Sequence, residues 1–447
     1  MSELIISVSG MRGIVGETLT PEVAVRYVKA FSALAPEGTI LITRDGRASG
    51  EMLARAIKAG LQAAGRNTAN GGVTATPTTG VLLRGMGAAG AVQITASHNP
   101  AEYNGLKLFT RDGRVIPAGP GQKVLDRYKT AAPDQAPAAS VARPCDCPDT
   151  VSAHCAAVLA TVDAQRIRRR KFKVVLDANH GAGGVLGRPL LEDLGCELTL
   201  LGEEPNGRFA HPPEPTTENL VGVLPAVKNS NAEIGFCQDP DADRLAVIDH
   251  TGRYLGEEYT LAMCVDHVLR HRRGPVVTNC SSSRMSQDLA EKYGTPFYRS
   301  AVGEANVVDA MLEHDAVFGG EGNGGPIDPR VGLVRDSFVG MALLLDAMAE
   351  RETSIAELAD ELPRYEIVKT KIILAREKIP TALDALQGHF SDAAAGRLDG
   401  LRLDWPGRWL LVRGSNTEPI VRAVAEAETV AEARELCEAA ASVLADL

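Results

Sequence analysis

Residues 231–249 read NAEIGFCQDPDADRLAVID, and this stretch joins two strand-like runs through an acidic loop. The apolar run IGFC is typical of a buried β-strand, and LAVID returns to a β-prone pattern after the loop. Between them, carboxylates stand at every second position, at Asp239, Asp241 and Asp243. The stretch therefore predicts a strand with a polar loop at its carboxyl end.

Two other stretches repeat this plan. The run GAAGAVQI precedes TASHNP at residues 95–100, and DAVFG precedes GEGNGG at residues 320–325. In each case a helix-like segment comes before the strand. Because ligands of open α/β sheets bind beyond the carboxyl ends of the strands, we expect the three loops to face one cleft.

The chain length and the breaks in its pattern of helices and strands indicate several domains. A chain of 447 residues with 45% hydrophobic side chains is too long for one compact core. Breaks in the pattern predict three domains that share a mixed α/β sheet plan, over residues 1–150, 151–253 and 254–362. Residues 363–447 show strands in succession and a terminal helix, which favours a smaller antiparallel α+β domain. A Pro-rich and Ala-rich stretch at residues 131–150 is typical of a linker.

The charge balance excludes some partners. Lys and Arg total 47 against 57 Asp and Glu, a net charge of −10 that disfavours nucleic acid and anionic membranes. No stretch approaches the roughly 18 apolar residues of a membrane helix, and the N-terminus lacks a signal-peptide pattern. We expect a cytoplasmic protein, a monomer or homodimer, that binds a small anionic molecule through locally gathered Arg and Lys.

The acidic loop indicates a metal site. Mg²⁺ prefers carboxylate oxygens and keeps positions for water or phosphate, and Arg244 follows directly as a partner for a metal-bound phosphate. The loop lacks the Gly and the terminal acidic ligand of an EF-hand. The alternative is a solvated acidic turn.

Ser97 stands at the corresponding strand end of the first unit, next to His98. A serine beside a histidine suggests a nucleophile and a base, but neighbouring side chains in an extended loop tend to point apart. An ST-turn ahead of Pro100 is the alternative. The equivalent position of the three aspartates in the next unit favours a functional serine.

RGSNTEP, at residues 413–419, combines a guanidinium, hydroxyls, an amide and a glycine, as a phosphate cradle requires. Its phosphate donors are Arg413, Ser415, Asn416 and Thr417. A simple hairpin turn is the alternative. Arg422, in the strand that follows, points either to the same ligand or to solvent.

Two glycine-rich stretches are not dinucleotide sites. GMGAAG, at residues 85–90, fits G-x-G-x-x-G but follows a helix and precedes a strand, the reverse of the required order. It is interpreted as a helix-ending turn. Residues 181–184 have the right order but the wrong spacing, and they predict a tight βα turn.

Four loops in a fixed order, with two further motifs, resemble the α-D-phosphohexomutase family across the whole chain. The motifs are TASHNP, DPDADR, GEGNGG and RGSNTEP, with SGMRG at residues 9–13 and YNGLK at residues 103–107. The resemblance implies four domains around a central cleft. It also implies an isomerase, an intramolecular phosphotransferase that interconverts hexose 1-phosphates and 6-phosphates.

The resemblance assigns roles to the site residues. Ser97 corresponds to the phosphoserine that forms a hexose 1,6-bisphosphate, which is also the expected activator. Asp239, Asp241 and Asp243, with a phosphoserine oxygen, correspond to the Mg²⁺ site. Arg12, Arg244 and Lys107 correspond to cations around the phosphoryl group, and Lys107 is also a candidate for proton transfer. His98 corresponds to a positioning group, and Glu321 and Asn323 correspond to contacts with the sugar hydroxyls. The clamp for the second phosphate corresponds to Arg413, Ser415, Asn416 and Thr417.

In the third domain, Arg299 is either a further cation of the cleft or a solvated charge. The sugar loop has Asn323, Gly324 and Gly325 where many bacterial members have Ser-Gly-His, and this form resembles archaeal-type members and the N-acetylglucosamine-phosphate branch. The fourth-domain loop reads Ser-Asn-Thr, whereas typical bacterial phosphoglucosamine mutases have Ser-Gly-Thr. We expect a phosphoglucosamine mutase, with a phosphomannomutase or phosphoglucomutase as the alternative. A sugar-phosphate phosphatase and a noncatalytic paralogue rank below them.

Overall fold

Four sheets follow one another along the chain in the computed structural model, which describes residues 4–130, 142, 144–147, 149–414 and 420–445. The first three sheets are mixed, and all pairings of the fourth are antiparallel. The expected four-domain α/β architecture is therefore confirmed. Within the described ranges, no helix combines the length and the apolar character that a membrane crossing requires.

The first domain is built on a seven-stranded sheet. Its strands are β1 (Ile5–Ser7), β2 (Gly10–Ile14), β3 (Ile40–Arg44), β4 (Thr68–Val73), β5 (Gly90–Ile94), β6 (Tyr103–Thr110) and β7 (Pro144–Asp146). Its helices are α1 (Pro21–Ser32), α2 (Gly50–Ala63), α3 (Thr76–Gly85) and α4 (Ala118–Thr130). The spatial order is β1-β2-β6-β5-β3-β4-β7. Part of the predicted linker therefore belongs to this sheet, because β7 pairs with β4.

The second domain has a four-stranded sheet in the order β11-β10-β8-β9. These strands are β8 (Lys173–Asp177), β9 (Glu197–Leu201), β10 (Ile234–Gln238) and β11 (Leu245–Asp249). The helices are α5 (Ser152–Leu159), α6 (Ala164–Arg170), α7 (Gly183–Asp193) and α8 (Leu224–Asn229). The predicted βα turn at residues 181–184 is confirmed, since it joins β8 to α7.

The third domain repeats this sheet in the order β13-β12-β14-β15. Its strands are β12 (Val276–Asn279), β13 (Phe297–Ser300), β14 (Phe318–Glu321) and β15 (Gly325–Ile327). Its helices are α9 (Glu257–His271), α10 (Met285–Lys292), α11 (Glu304–Glu313), α12 (Ser337–Arg351) and α13 (Ile355–Asp360).

The threefold plan predicted from sequence is present. In each of these sheets a central strand, β5, β10 or β14, pairs in parallel with one neighbour and antiparallel with the strand that follows it along the chain. Every residue of the three central strands is buried, as expected for strands covered on both faces. Residues 85–90 end α3 and lead into β5, which confirms the interpretation as a helix-ending turn.

The fourth domain is an antiparallel sheet in the order β16-β20-β19-β18-β17, with two helices and a short 3-10 turn at Arg376–Lys378. The strands are β16 (Glu366–Ile373), β17 (Ala394–Gly396), β18 (Leu401–Trp405), β19 (Arg408–Gly414) and β20 (Ile420–Ala427). The helices are α14 (Ile379–His389) and α15 (Val430–Ala445).

The second and third domains share one hydrophobic core through α12. Phe236 of β10, Phe318 of β14 and Phe338 of α12 belong to the same buried cluster. Helix α12 is buried along almost its whole length, which explains its nearly continuous apolar sequence. The fourth domain has its own core, and Trp409 packs against Cys280 of the third domain. These contacts fix the walls of the cleft between the domains.

Candidate active site

The loops after β5, β10 and β14 meet at one cleft, as the sequence predicts. Ser97 Oγ donates a hydrogen bond to Asp239 Oδ2 at 2.8 Å. The backbone N–H of Leu245 donates to the Gly324 carbonyl at 2.8 Å. This bond joins the aspartate loop, residues 239–244, to the loop after β14, residues 322–324, which is called the sugar loop after its predicted role. The adjoining cleft has a volume of about 690 Å³. It is lined from the four domains by Arg12 and His98, by Glu214 and Arg244, by Glu257, Glu258, Asn279, Glu321 and Asn323, and by Lys369, Lys371, Arg413 and Arg422.

Ser97 has a left-handed backbone, with φ +51°, which a non-glycine residue adopts at an energetic cost. Its N–H donates to Thr95 Oγ1 at 2.8 Å, and its hydroxyl lies 3.3 Å from His98 Nδ1. The expectation that the two neighbouring side chains point apart is wrong, because the positive φ turns the chain between them. The Ser97 hydroxyl contacts another domain's carboxylate, so this loop does more than form a local turn.

Asp239, Asp241 and Asp243 are fully buried, with 0% exposure each. The interpretation as a solvated acidic turn is therefore wrong. Asp239 Oδ1 accepts hydrogen bonds from the backbone N–H groups of Asp243 and Arg244, each at 3.2 Å, and thereby closes the loop on itself. One oxygen of each carboxylate lies within 4.8 Å of the others. The loop presents a compact all-oxygen cluster.

Two cations compensate this buried charge. Lys107 Nζ lies 2.6 Å from Asp241 Oδ2 and 2.7 Å from Asp243 Oδ2, and Arg335 Nη2 lies 2.7 Å from the latter oxygen. Burial and the two neighbouring carboxylates raise the pKa of Asp239 well above its ordinary value. Burial also acts to raise the pKa of Asp243, but Arg335 and Lys107 outweigh it, so that pKa is lowered.

Lys107 is held as an ammonium ion. Burial acts to lower its pKa, but the adjacent Asp241 and Asp243 raise it above the ordinary lysine value. In this arrangement Lys107 supplies positive charge beside the two carboxylates. Its roles as a cation at the phosphoryl group and in proton transfer both stay predictions.

The aspartate cluster fits a small divalent cation. Asp241 Oδ1 and Asp243 Oδ1 are buried and have no hydrogen-bond partner among the described residues. Buried carboxylate oxygens without a partner are unfavourable unless a cation or a donor meets them. Oxygen-only donors are the ligands that Mg²⁺ prefers. The residues present therefore fit Mg²⁺, with the Ser97 hydroxyl beside the cluster.

Two arginines and His98 surround the Ser97 loop. Arg12 Nη1 donates to Asn99 Oδ1 at 3.2 Å, and Arg244 Nη1 donates to Glu214 Oε1 at the same distance. Burial, together with the charges of Arg244 and Arg12, holds the pKa of His98 well below its ordinary value. His98 is therefore a neutral imidazole beside the serine.

Glu321 lies at the end of β14 and is held by three donors. Arg335 Nη1 lies 2.8 Å from its Oε2, while Asn279 Nδ2 and the Gly303 N–H reach its Oε1 at 2.7 and 3.0 Å. Asn323 lies close by, with its Nδ2 3.5 Å from Glu321 Oε2.

Gly324 explains part of the sugar-loop sequence. It has φ +77°, and a Cβ there would lie only 2.2 Å from the Leu245 carbonyl oxygen. Only glycine allows the two loops to approach so closely.

The fourth domain adds a second group of cations. Arg413 Nε lies 3.2 Å from Asp399 Oδ2, and Lys371 of β16 stands directly opposite Arg422 of β20. With Lys369 they line the cleft. The predicted cradle residues Ser415, Asn416 and Thr417 lie outside the described residues.

Several cleft residues were not anticipated from sequence. Lys369 and Lys371 alternate along β16, and this period of two was the available signal. Arg335 precedes α12 and has no such pattern. Arg299, which sequence offered as the third domain's cation, instead contacts Gln287 and lies 3.7 Å from Asp404. The cation that the third domain contributes next to the cleft is Arg335. It is 7% exposed and contacts Asp243 of the aspartate loop and Glu321 at the end of β14.

Arg47 is a further residue that sequence reasoning missed. It is 1% exposed, pairs with Asp45 and stacks over Phe209 of the second domain. Its guanidinium donates to backbone carbonyls of the serine loop, at Ser97 (2.8 Å), Asn99 (2.5 Å), Pro100 (2.6 Å) and Tyr103 (2.9 Å). Arg47 therefore holds the loop that carries Ser97.

The site has a hydroxyl beside a cluster of carboxylate oxygens that fits a metal ion, and a second group of cations lies in the same cleft. This arrangement is typical of a phosphoryl-transfer enzyme, here one built from four domains. Comparison with known families makes this specific, and the chain belongs to the phosphoglucomutase/phosphomannomutase family. Its alpha/beta/alpha domains I, II and III and its C-terminal domain match residues 4–134, 152–252, 257–365 and 370–443.

Individual relatives agree along nearly the full length. The chain is 35% identical to a phosphoglucomutase/phosphomannomutase of Thermococcus kodakarensis over 96% of each chain. It is 32% identical to a probable phosphoglucosamine mutase of Pyrococcus horikoshii, over 98% of this chain and 96% of that one. A solved phosphoglucomutase/phosphomannomutase family protein from Burkholderia thailandensis superposes with a TM-score of 0.84 at 27% identity, over 97% of this chain and 96% of that one. The chain is a phosphohexomutase, an isomerase of the intramolecular phosphotransferase type.

Proposed function

We propose that this phosphohexomutase interconverts glucosamine 1-phosphate and 6-phosphate through phosphorylated Ser97 and a 1,6-bisphosphate. The observation that carries the reaction is the 2.8 Å contact between Ser97 Oγ and Asp239 Oδ2 at the cleft. In the first half, the bond between phosphorus and Ser97 Oγ breaks, a bond from phosphorus to the oxygen of the free sugar hydroxyl forms, and the net result moves the proton of that hydroxyl to Ser97 Oγ. After the bisphosphate reverses its orientation, its other phosphoryl group returns to Ser97.

Separate groups of side chains bind the metal ion and the two phosphates. Asp239, Asp241 and Asp243 would hold Mg²⁺, which withdraws charge from a transferring phosphoryl group when bound. Arg12 and Arg244 stand beside the serine loop and bind the oxygens of the reacting group. Lys369, Lys371, Arg413 and Arg422 bind the phosphate that is not reacting. A cationic group from each side of the cleft suits a substrate that presents either phosphate to Ser97.

Two unpartnered acceptors favour an amino sugar. Glu257 Oε1 and Asn323 Oδ1 are buried at the cleft and have no hydrogen-bond partner in the described part of the chain. Burial raises the pKa of Glu257 to about 7, although Arg244 opposes the shift. A substrate ammonium group would supply the missing donor and stabilise the carboxylate form. Several relatives named as probable phosphoglucosamine mutases agree with this assignment.

The substrate is tested by initial rates with the 1-phosphates and 6-phosphates of glucose, mannose, glucosamine and N-acetylglucosamine, each with its bisphosphate. We expect the highest kcat/KM for glucosamine phosphate, and a larger loss with glucosamine than with glucose phosphate in Glu257→Gln. A preference for glucose or mannose phosphate would refute the assigned sugar and leave the mutase reaction standing. Release of inorganic phosphate without isomerisation would instead favour a phosphatase.

A further inference from the structure

A second cluster of ligating side chains lies away from the cleft, between helices α9 and α12. His267 and His271 stand one turn apart on α9, and Glu350 faces them from α12. One ligand atom from each lies within 4.8 Å of the other two. His271 Nε2 is 2.8 Å from Glu350 Oε2, and His267 Nδ1 is 3.6 Å from the same oxygen.

His267 is the buried member of this cluster. The side chain is 4% exposed, and its Nε2 lies 3.2 Å from Asp346 Oδ2. Since an ionised carboxylate only accepts, the Nε2 atom that faces Asp346 carries a hydrogen. Within the described ranges this buried Nδ1 has no hydrogen-bond partner, although it faces the carboxylate of Glu350. A metal ion or a proton between His267 Nδ1 and Glu350 Oε2 would give both atoms a partner.

We propose that His267 Nδ1, His271 Nε2 and Glu350 Oε2 bind a divalent transition metal, with Zn²⁺ as the ion that fits, at a site separate from the aspartate cluster. Two imidazoles and one carboxylate with an open fourth position are a common zinc donor set. In a tetrahedral site with metal–ligand bonds of about 2.1 Å, donor atoms lie about 3.4 Å apart. The two separations measured from Glu350 Oε2, 2.8 and 3.6 Å, lie on either side of that value.

The surroundings support the same donor set. Asp346 holds His267 through the nitrogen opposite to the metal, the carboxylate–histidine arrangement that orients metal-binding imidazoles. Arg166 Nη2 reaches Asp346 Oδ1 at 2.8 Å, and its Nη1 stands 3.8 Å from Glu350 Oε1, so Glu350 turns its other oxygen, Oε2, toward the histidines. His271 is half exposed, and both histidines line a cavity of about 250 Å³ together with Asp346, Arg166, Arg272 and Arg330.

A bound ion would link two helices. The ligands join α9 to α12 in the third domain, and Arg166 of α6, from the second domain, reaches Asp346 beside them. A metal that binds only the folded chain raises its stability by mass action. We therefore expect Zn²⁺ to raise the Tm without changing the Mg²⁺-dependent turnover.

The protein is first stripped of bound metals and then saturated with Mg²⁺. Zn²⁺ is titrated into it by calorimetry, and zinc X-ray absorption identifies the ligands. We expect one Zn²⁺ per chain, an imidazole signature and a higher Tm. His271→Ala and Glu350→Gln should each weaken Zn²⁺ binding by about 100-fold or more and remove the Tm increase. The control His389→Ala, at an exposed position on α14, should bind as the parent does. Unchanged Mg²⁺-dependent activity of the variants without zinc reports that they are folded.

Three outcomes would overturn the proposal. They are no Zn²⁺ uptake in saturating Mg²⁺, a ligand shell of oxygen atoms only, and equal Zn²⁺ affinity in the parent, His271→Ala and Glu350→Gln. The first would mean that a proton, not a metal, lies between His267 and Glu350. Retention of the imidazole-bound zinc in Asp241→Asn separates this site from the aspartate cluster.

Discussion

Ser97 Oγ and Asp239 Oδ2 are 2.8 Å apart although 142 positions separate the two residues in the chain. The serine comes from the first domain and the aspartate from the second. Thr76, at the start of α3, reinforces the same junction, because its N–H donates to the Asp241 carbonyl at 2.9 Å. The Ser97 hydroxyl is therefore positioned by the packing of two domains.

Removal of the hydroxyl tests the phosphoryl donor. Ser97→Ala should abolish mutase turnover and leave the Tm nearly unchanged, because the hydroxyl is the phosphoryl acceptor and donor in the proposed reaction. The parent protein should carry phosphate at Ser97 by mass spectrometry, and the variant should not. Undiminished turnover in Ser97→Ala would remove Ser97 from the reaction.

Asp241→Asn tests the metal cradle. We expect Mg²⁺-dependent turnover to fall far more than stability, since the substitution removes one ligand charge and also relieves repulsion among three buried carboxylates. The measurements are turnover against Mg²⁺ concentration and the Tm in chelator. Equal activity of the parent with and without chelator would contradict a metal-dependent site.

Much of the architecture was predictable because it follows local rules. The strands β5, β10 and β14 are continuous apolar runs, and each ends in polar residues, so the sequence predicts both the strands and the common edge at which their loops meet. Ser97 and the three aspartates were predictable for the same reason. Their polar side chains follow buried strands.

The residues missed from sequence act through contacts that span domains. Arg335 stands in an irregular segment before α12 and has no periodic pattern, and only folding places it between Asp243 and Glu321. The Ser97–His98 contact was missed because a positive φ at a serine is not encoded by residue type. Such relationships depend on tertiary packing.

Arg335 should be sensitive even to a conservative substitution. Lys keeps the charge, but a single ammonium cannot reproduce the planar fork that reaches both Asp243 and Glu321. We expect Arg335→Lys to lower kcat/KM about tenfold or more, which corresponds to about 1.4 kcal/mol of transition-state stabilisation. Arg330→Lys is the matched control, because Arg330 is more exposed and pairs with Asp328 away from the cleft. Equal losses in the two variants would show that Arg335 has no special place in the site.

Arg47 should control the order of the serine loop. Arg47→Lys removes most of the hydrogen bonds to its buried carbonyls, and each bond to a charged donor contributes about 1.5–3 kcal/mol. We expect lower kcat and faster hydrogen exchange over residues 95–103. The control Arg55→Lys, which changes an exposed pair with Glu51, should leave both unchanged. Parent-like exchange in Arg47→Lys would mean that the loop is ordered without this guanidinium.

Glu258 should make stability fall as the pH rises. Burial raises the pKa of Glu258 from 4.5 to about 8, with its Oε2 held by the Ser283 N–H at 2.9 Å. Between these two values the folded protein retains a proton that the unfolded chain has lost. The free energy of unfolding therefore declines by at most about 1.4 kcal/mol per pH unit as the pH rises through that window.

Glu258→Gln removes this titration and keeps the shape of the side chain. The Tm of Glu258→Gln and of the parent should agree at about pH 4, and the variant should become progressively the more stable protein as the pH rises from about 4.5 to about 8, because in that window only the parent releases a proton when it unfolds. Glu435→Gln, at an exposed position on α15, should follow the parent at every pH. Parallel Tm profiles for the parent and Glu258→Gln would show that Glu258 is already ionised in the folded protein at neutral pH.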